Sequence, residues 1–234
     1  CLFFVLDMLQ YEVYTLHIRV HMKKVAILTS FSDLQKAYSL NIVVQSQIKM
    51  LLLHGYQPIV IVHDTFVPEG IYAHPSVTIE TIPHVPVHNE VKKDDTFEED
   101  VQQIADKLEA ILKNVDVCIT HDIIYQNACL KHNMASRMVA EKLSSLRWLH
   151  WIHSATSPLM LSLLRPLFSD VYINLVSKKF PNAKYVYPNS YAVPSVAKNF
   201  GVSIEDVRVV HHPTDICGFL GISEEVEELV YKKD

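Results

Sequence analysis

The sequence predicts an α/β fold, a Rossmann-like, doubly wound parallel sheet of about seven strands with helices on both faces. Three observations predict it. From Lys24 onward, short apolar runs alternate with segments of helical period, the pattern that builds a parallel sheet covered by helices on both faces. The runs lie far enough apart for a helix to fit between most of them. Polar residues gather just past the ends of the runs, where the loops of an open parallel sheet collect.

The first strand is Val25 to Leu28. Asn41 to His54 then forms a helix whose stripe is Ile42, Val43, Ile48, Leu51 and Leu52, closed by Gly55 at the position after the cap. Ile59 to Val62 is the second strand and Val77 to Ile82 the third. Pro83, Pro86 and the polar stretch His88 to Asp95 make a surface loop. Thr96 with Glu99 reads as a capping box. It opens a helix carrying Phe97, Val101, Ile104, Leu108, Ile111 and Leu112 on one face.

Val115 to Thr120 is the fourth strand, Gln126 to Leu146 a long helix, and Trp148 to Ile152 the fifth strand, dense in aromatic and β-favouring residues. Through Leu159 to Ala183, Pro158, Pro166 and Pro181 forbid one long helix. Tyr185 to Tyr187 and Val207 to Val210 are the last two strands. The helix between them has Ser190 as its N-cap candidate, Pro194 in its early part and Gly201 at its end.

The division expected along the chain is an extension or edge strand over 1–21, one Rossmann-like domain over 22–221, and the start of a connector over 222–234. The choice over 1–21 stays open. Met22-Lys23-Lys24 reads like a start before a strand, but Tyr14, Leu16, Ile18 and Val20 alternate with polar residues. The tail is acidic and amphipathic, and reads as leading into a second domain.

Composition narrows the function classes. With 234 residues, 49% hydrophobic and 20% charged, the chain can bury a substantial core. The net charge of −5 and the lack of any Lys/Arg concentration argue against a nucleic-acid partner. Cys1, Cys118, Cys129 and Cys217 are widely spaced with no CxxC pair, which suits reduced, buried thiols and a cytoplasmic location. Asp7 and Glu12 interrupt the apolar start long before a membrane span is complete. Leu159 to Phe168, with Arg165, are open to a membrane-surface role beside a core or interdomain one.

The strand ends hold the candidate chemistry: Thr29-Ser30, Thr120-His121-Asp122, His153-Ser154, Asn189-Ser190 and His211-His212. A histidine ending an apolar strand must find a partner or face solvent, so His153 reads as functional. His121, Asp122, Ser154, Tyr38, Ser39, Asn189, Ser190 and His212 are the substrate-binding candidates. Four of them have a plainer reading: His121 and Asp122 as turn residues, and Tyr38 and Ser39 as helix entry with Ser39 as N-cap. His150, three residues before His153, points to the other face and reads as a satisfied core histidine. The thirteen histidines show no HExxH or other ligand spacing, so no metal is expected. No GxGxxG follows the first strand and no GxSxG occurs, which argues against dinucleotide dehydrogenases and α/β-hydrolases.

The segments KKVAILTS, QIKMLLLHGYQPIVIVHD, DVCITHD, WLHWIHS and YPNSYAVPSVAKNFGVSIEDVRVVHHPTD, in this order from Lys23 to about Gly221, resemble a known family. It is the N-terminal domain of the large retaining glycosyltransferase family with the GT-B fold, of the family 4-like type. Asp215 matches the family's final Asp, whereas His212 and Pro213 stand where Asn-Gly is usual, and the glycine pair that often follows strand one is missing. His153 falls where the family places a histidine close to the reacting sugar, and this resemblance makes it the catalytic candidate. The resemblance implies a hexosyltransferase-type reaction: transfer of a sugar from a nucleotide-sugar donor to a hydroxyl acceptor, with retention, without metal or other cofactor. It also implies a C-terminal domain that binds the donor, neutralises the leaving diphosphate and carries an E-x7-E carboxylate pair, so this half alone is expected to be inactive. Glu224, Glu225, Glu227 and Glu228 are not that pair. The alternatives are a nucleotide-sugar epimerase of the same architecture, a non-catalytic glycan- or nucleotide-binding module and, last, a metal-dependent hydrolase.

Overall fold

A computed structural model describes residues 23–34, 38–83, 93–121, 123–126, 129–154, 166–212 and 226. The expected extension over 1–21 and, apart from Val226, the connector over 222–234 lie outside them, as do Asp122, Arg165, Asp215, Cys1 and Cys217.

Seven strands form one sheet: β1 (Lys24–Leu28), β2 (Gln57–His63), β3 (Thr78–Ile82), β4 (Val117–His121), β5 (Arg147–Trp151), β6 (Ala183–Tyr187) and β7 (Val207–Val209). Their order is β3-β2-β1-β4-β5-β6-β7 and every pairing is parallel. The helices are α1 (Ser39–Leu53), α2 (Phe97–Leu112), α3 (Leu130–Lys142), α4 (Asp170–Ser177) and α5 (Val193–Phe200). This is the doubly wound, Rossmann-like arrangement that the alternation of runs predicts.

The period of two sorts each strand's side chains onto two cores. In β1, Val25 and Ile27 face one way with Val60, Val62 and Ile119, and α1 covers them with Val44, Ile48 and Leu51. Ala26 and Leu28 face the other way with Ile59, Ile61 and Cys118, beneath α2, α3 and α5. Runs such as IVIV in β2 are apolar throughout because both faces are covered. Cys118 and Cys129 are buried, and burial pushes the Cys118 thiol up.

Several local expectations change. Helix α1 begins at Ser39, so Tyr38 holds the N-cap position, with no side-chain cap bond, and Ser39 is already helical. Ile42, assigned to the buried stripe, is 45% exposed, whereas Val44 is buried. The end is as expected: Gly55 sits at φ +72°, with Tyr56 N–H on Leu51 O and Gly55 N–H on Leu52 O, a Schellman motif. The Thr96–Glu99 capping box does not form. Thr96 Oγ1 donates to Asp94 and Asp100, and Glu99 accepts from Gln103. Helix α3 is shorter than the expected Gln126 to Leu146, since Leu143 leaves helical geometry and turns into β5. Before α5, Asn189 caps a 3-10 turn (Ser190–Ala192) by accepting from Tyr191 N–H, in place of Ser190.

The direction of winding reverses between β1 and β4, which pair directly. The crevice past their carboxyl ends is where ligands enter folds of this kind.

Candidate functional site

Helix α1 presents Val44, Gln47, Ile48 and Leu51 to the sheet at spacings of three and four, so an amide lies inside an apolar stripe. Gln47 is buried and must find a polar partner. It finds His121, the last residue of β4, whose Nε2 lies 2.9 Å from Gln47 Oε1. The other ring nitrogen of His121, Nδ1, lies 2.9 Å from Nε2 of His153. His153 follows β5, and its backbone N–H donates to the Tyr125 hydroxyl at 3.2 Å. The His153 ring is stacked on that of His212, which follows β7, with centroids 5.2 Å apart and planes 6° from parallel. The His121 ring also stacks on Trp151, 6.0 Å away.

Four elements thus converge on one edge of the sheet, joining α1, β4, β5 and the exit of β7 in a line Gln47–His121–His153–His212. The line shifts its own electrostatics. Burial, then the neighbouring His153 and His212 rings, hold the His121 imidazole well below its ordinary value. Burial, with His212 beside it, lowers His153 to about 4, and burial lowers His212. All three rings are neutral at pH 7, so each offers one donor and one acceptor and none offers a positive charge. Such a surface suits hydroxyl groups. The charge of a phosphate would need cations from elsewhere.

Of the residues singled out in the sequence, His121, His153 and His212 come together, with Ser154 half-buried beside His153 in the chain. Tyr38 lies at the entry of α1, its ring edge-on to Phe31 at 6.2 Å, and Ser39 is exposed. Asn189 and Ser190 are exposed in the turn after β6, and Asp122 lies outside the described residues. Thr29, at the end of β1, is buried and closes its own turn, donating to Ile61 O and accepting from Phe31 N–H. Sequence reasoning missed Gln47, Tyr125 and Trp151. Gln47 alone carried a signal, a polar residue in register with Val44, Ile48 and Leu51. His63 and His132, buried and stacked at 6.1 Å, were missed as a pair too.

His150 points to the opposite face, as expected, between Trp148, Phe180 and Tyr185. It is only half satisfied: Nδ1 lies 2.7 Å from Thr120 Oγ1, and Nε2 is buried with no partner among the described residues. Among the described residues no three His, Cys, Asp or Glu side chains are grouped to hold a metal ion. No described helix is long and apolar enough to cross a membrane.

No protein-family model matches the chain, and no curated protein does. Solved structures do. The lipopolysaccharide outer core galactosyltransferase WaaB in its apo form matches over 82% of this chain and 46% of its own, at 14% identity and a TM-score of 0.52. This likeness is one of fold. Anabaena Alr3699/HepE in complex with UDP and glucose matches over 84% of this chain and 46% of its own, at 11% identity and a TM-score of 0.48. The UDP-GlcNAc 2-epimerase from Neisseria meningitidis bound to UDP-GlcNAc matches over 91% and 51%, at 12% and 0.44. The chain spans about half the length of each of these three.

Proposed function

We propose that the chain is the acceptor-side half of a retaining glycosyltransferase, which moves a sugar from a nucleotide-sugar donor to a hydroxyl acceptor. The observation that carries the reading is the hydrogen-bonded pair His121–His153 with His212 stacked upon it, at the carboxyl edge of a doubly wound parallel sheet. The fold likeness to a galactosyltransferase and the family-like segments from Lys23 to about Gly221 support it. On this reading His153 contacts the reacting sugar as a neutral imidazole, while His121, His212 and Ser154 complete the wall against which hydroxyls are positioned. The leaving diphosphate takes its neutralising charge from a C-terminal donor-binding domain, and no cofactor beyond the nucleotide sugar takes part. The half alone turns nothing over. A cytoplasmic location is part of this reading, and the burial of Cys118 and Cys129 supports it.

The test is a nucleotide-release assay on the protein in its full natural length, with a panel of nucleotide sugars and hydroxyl acceptors and NMR of the product anomer. Transfer with retention is expected, and His153→Ala should lower kcat/KM by about a hundredfold, in the range of losing one positioned polar group. Consumption of no nucleotide sugar overturns the reading. Conversion of the sugar without any acceptor would make the protein an epimerase, and ligand binding without turnover a binding module.

A further inference from the structure

Two hydrogen bonds in series constrain each other. Gln47 turns its carbonyl oxygen toward His121 and leaves its amide Nε2 buried with no hydrogen-bond partner among the described residues; in this orientation the ring nitrogen facing the oxygen, Nε2 of His121, carries the proton and donates. A neutral imidazole with its proton on Nε2 has a bare Nδ1, which must accept. The atom facing that Nδ1, at 2.9 Å, is Nε2 of His153, and so it carries the second proton. What remains on His153 is Nδ1, as an unprotonated lone pair. The direction of the whole line is decided at its buried end, by a single amide.

We propose that Gln47 is a positioning residue: it sets the tautomers of His121 and His153 so that His153 offers a bare Nδ1 to a hydroxyl of the ligand. Three observations carry it. Gln47 is 5% exposed and stands at the position of α1 that faces the sheet, so it has little freedom to swing away. His121 is wholly buried, which removes water as a competing partner for either ring nitrogen. His153 reaches the edge of the cluster with its ring held against His212 and its backbone N–H tied to Tyr125, so the ring's direction is fixed as well as its protonation. The lowered proton affinity of all three rings keeps them neutral, the state in which a tautomer has meaning. The inference rests on the glycosyltransferase reading only for the ligand. A bare ring nitrogen accepts from an alcohol and repels a phosphate oxygen, so the group met by His153 is a sugar or acceptor hydroxyl.

The experiment is long-range ¹H–¹⁵N correlation NMR of the 234-residue chain labelled with ¹⁵N-histidine, at neutral pH. His153→Gln and His121→Gln assign the signals. Both rings should show the Nε2–H pattern in the unaltered chain. Gln47→Met, similar in volume and without a carbonyl, should lose the single-tautomer pattern at His121 and His153 and leave His54 and His74 unchanged. Nδ1–H at His153 in the unaltered chain overturns the proposal, with no variant needed, and so does a folded Gln47→Met chain with both tautomers intact. The readout needs no substrate. Correct tautomers with no sugar transfer by the full-length protein would sink the functional reading and leave the positioning role standing.

Discussion

Thr120 and His150 sit directly opposite in the β4–β5 pairing, and the threonine Oγ1 lies 2.7 Å from His150 Nδ1 with both residues fully buried. The bond holds a histidine inside an aromatic cage where its proton affinity is driven well down, by burial first and by Arg137 next. Thr120→Val keeps the shape and removes the partner, leaving a buried imidazole with nothing for either nitrogen. A loss of about 2 kcal/mol is expected in urea unfolding. Thr120→Val with His150→Leu removes both polar groups together and should cost clearly less than the two single changes added, since no orphaned group remains. Simple additivity would show that the bond contributes nothing.

The histidine line predicts an acid weakness. His153 titrates at about 4 when folded against 6.5 in the open chain, so between these values the unfolded chain binds the proton and the folded one does not. Stability should therefore fall as pH drops from about 6.5 toward 4. For His153 the difference is worth roughly 3 kcal/mol before discount, and nearer ~2 kcal/mol once the partial exposure of its ring is allowed for. His121, His150 and His212 are shifted in the same direction and steepen the fall. Melting temperature against pH measures it: His153→Gln should flatten the curve over that window, and an unchanged slope would contradict the neutral cluster.

Arg137 ties α3 to the chain entering β6. Buried at 4% exposure, it donates from Nε to Asn133 Oδ1 and from Nη2 and Nη1 to the carbonyls of Lys178 and Lys179, and its guanidinium lies 4.9 Å from the Phe180 ring. Burial pulls it down to about 10, which leaves it charged at neutral pH. Arg137→Met takes the donors from those groups and should cost about 3 kcal/mol in urea unfolding. Arg137→Lys should recover only part, because one ammonium cannot reach three acceptors held in a fork. Full recovery by lysine would mean that charge alone matters there.

Much of this architecture was legible because its signals are local. The run VAIL, the Gly55 turn and the IVIV run each state their geometry within a few residues, and strands buried on both faces leave no ambiguity of side. Helix starts were less legible. Thr96 and Ser190 satisfy the composition of a cap, but Asp94 and Asp100 compete for the Thr96 hydroxyl, and Asn189 stands one residue ahead of Ser190 with a better acceptor. The site divided in the same way. His121 and His153 were visible as strand-end histidines, since each closes an apolar run. Gln47 showed only as a polar residue in an apolar stripe, with its role hidden, because its partner lies 74 residues away and only the pairing of β1 with β4 brings α1 against that strand end.

The amino edge of the sheet carries a charge cluster of its own. Asp206, ahead of β7, accepts from Lys179 Nζ and Lys184 Nζ, each at 2.6 Å, and from Ser203 Oγ at 3.3 Å. The two lysines hold its carboxyl well below the usual carboxylate range. A depressed carboxyl contributes stability that is complete above its open-chain value near 3.8 and is lost as pH falls toward the folded value. This window lies below that of His153, and comparison with Asp206→Asn isolates it from the fall caused by the other histidines. Because both lysines are half exposed, Asp206→Asn should cost only about 1 kcal/mol at pH 7, and less in molar salt. The melting curves of the two proteins should run apart by a steady margin down to pH 4 and close together below it. Curves that stay parallel to pH 2 would show that the carboxylate is not what the acid limb titrates, and that Asp206 ties Lys179 and Lys184 together by contacts that its charge does not govern.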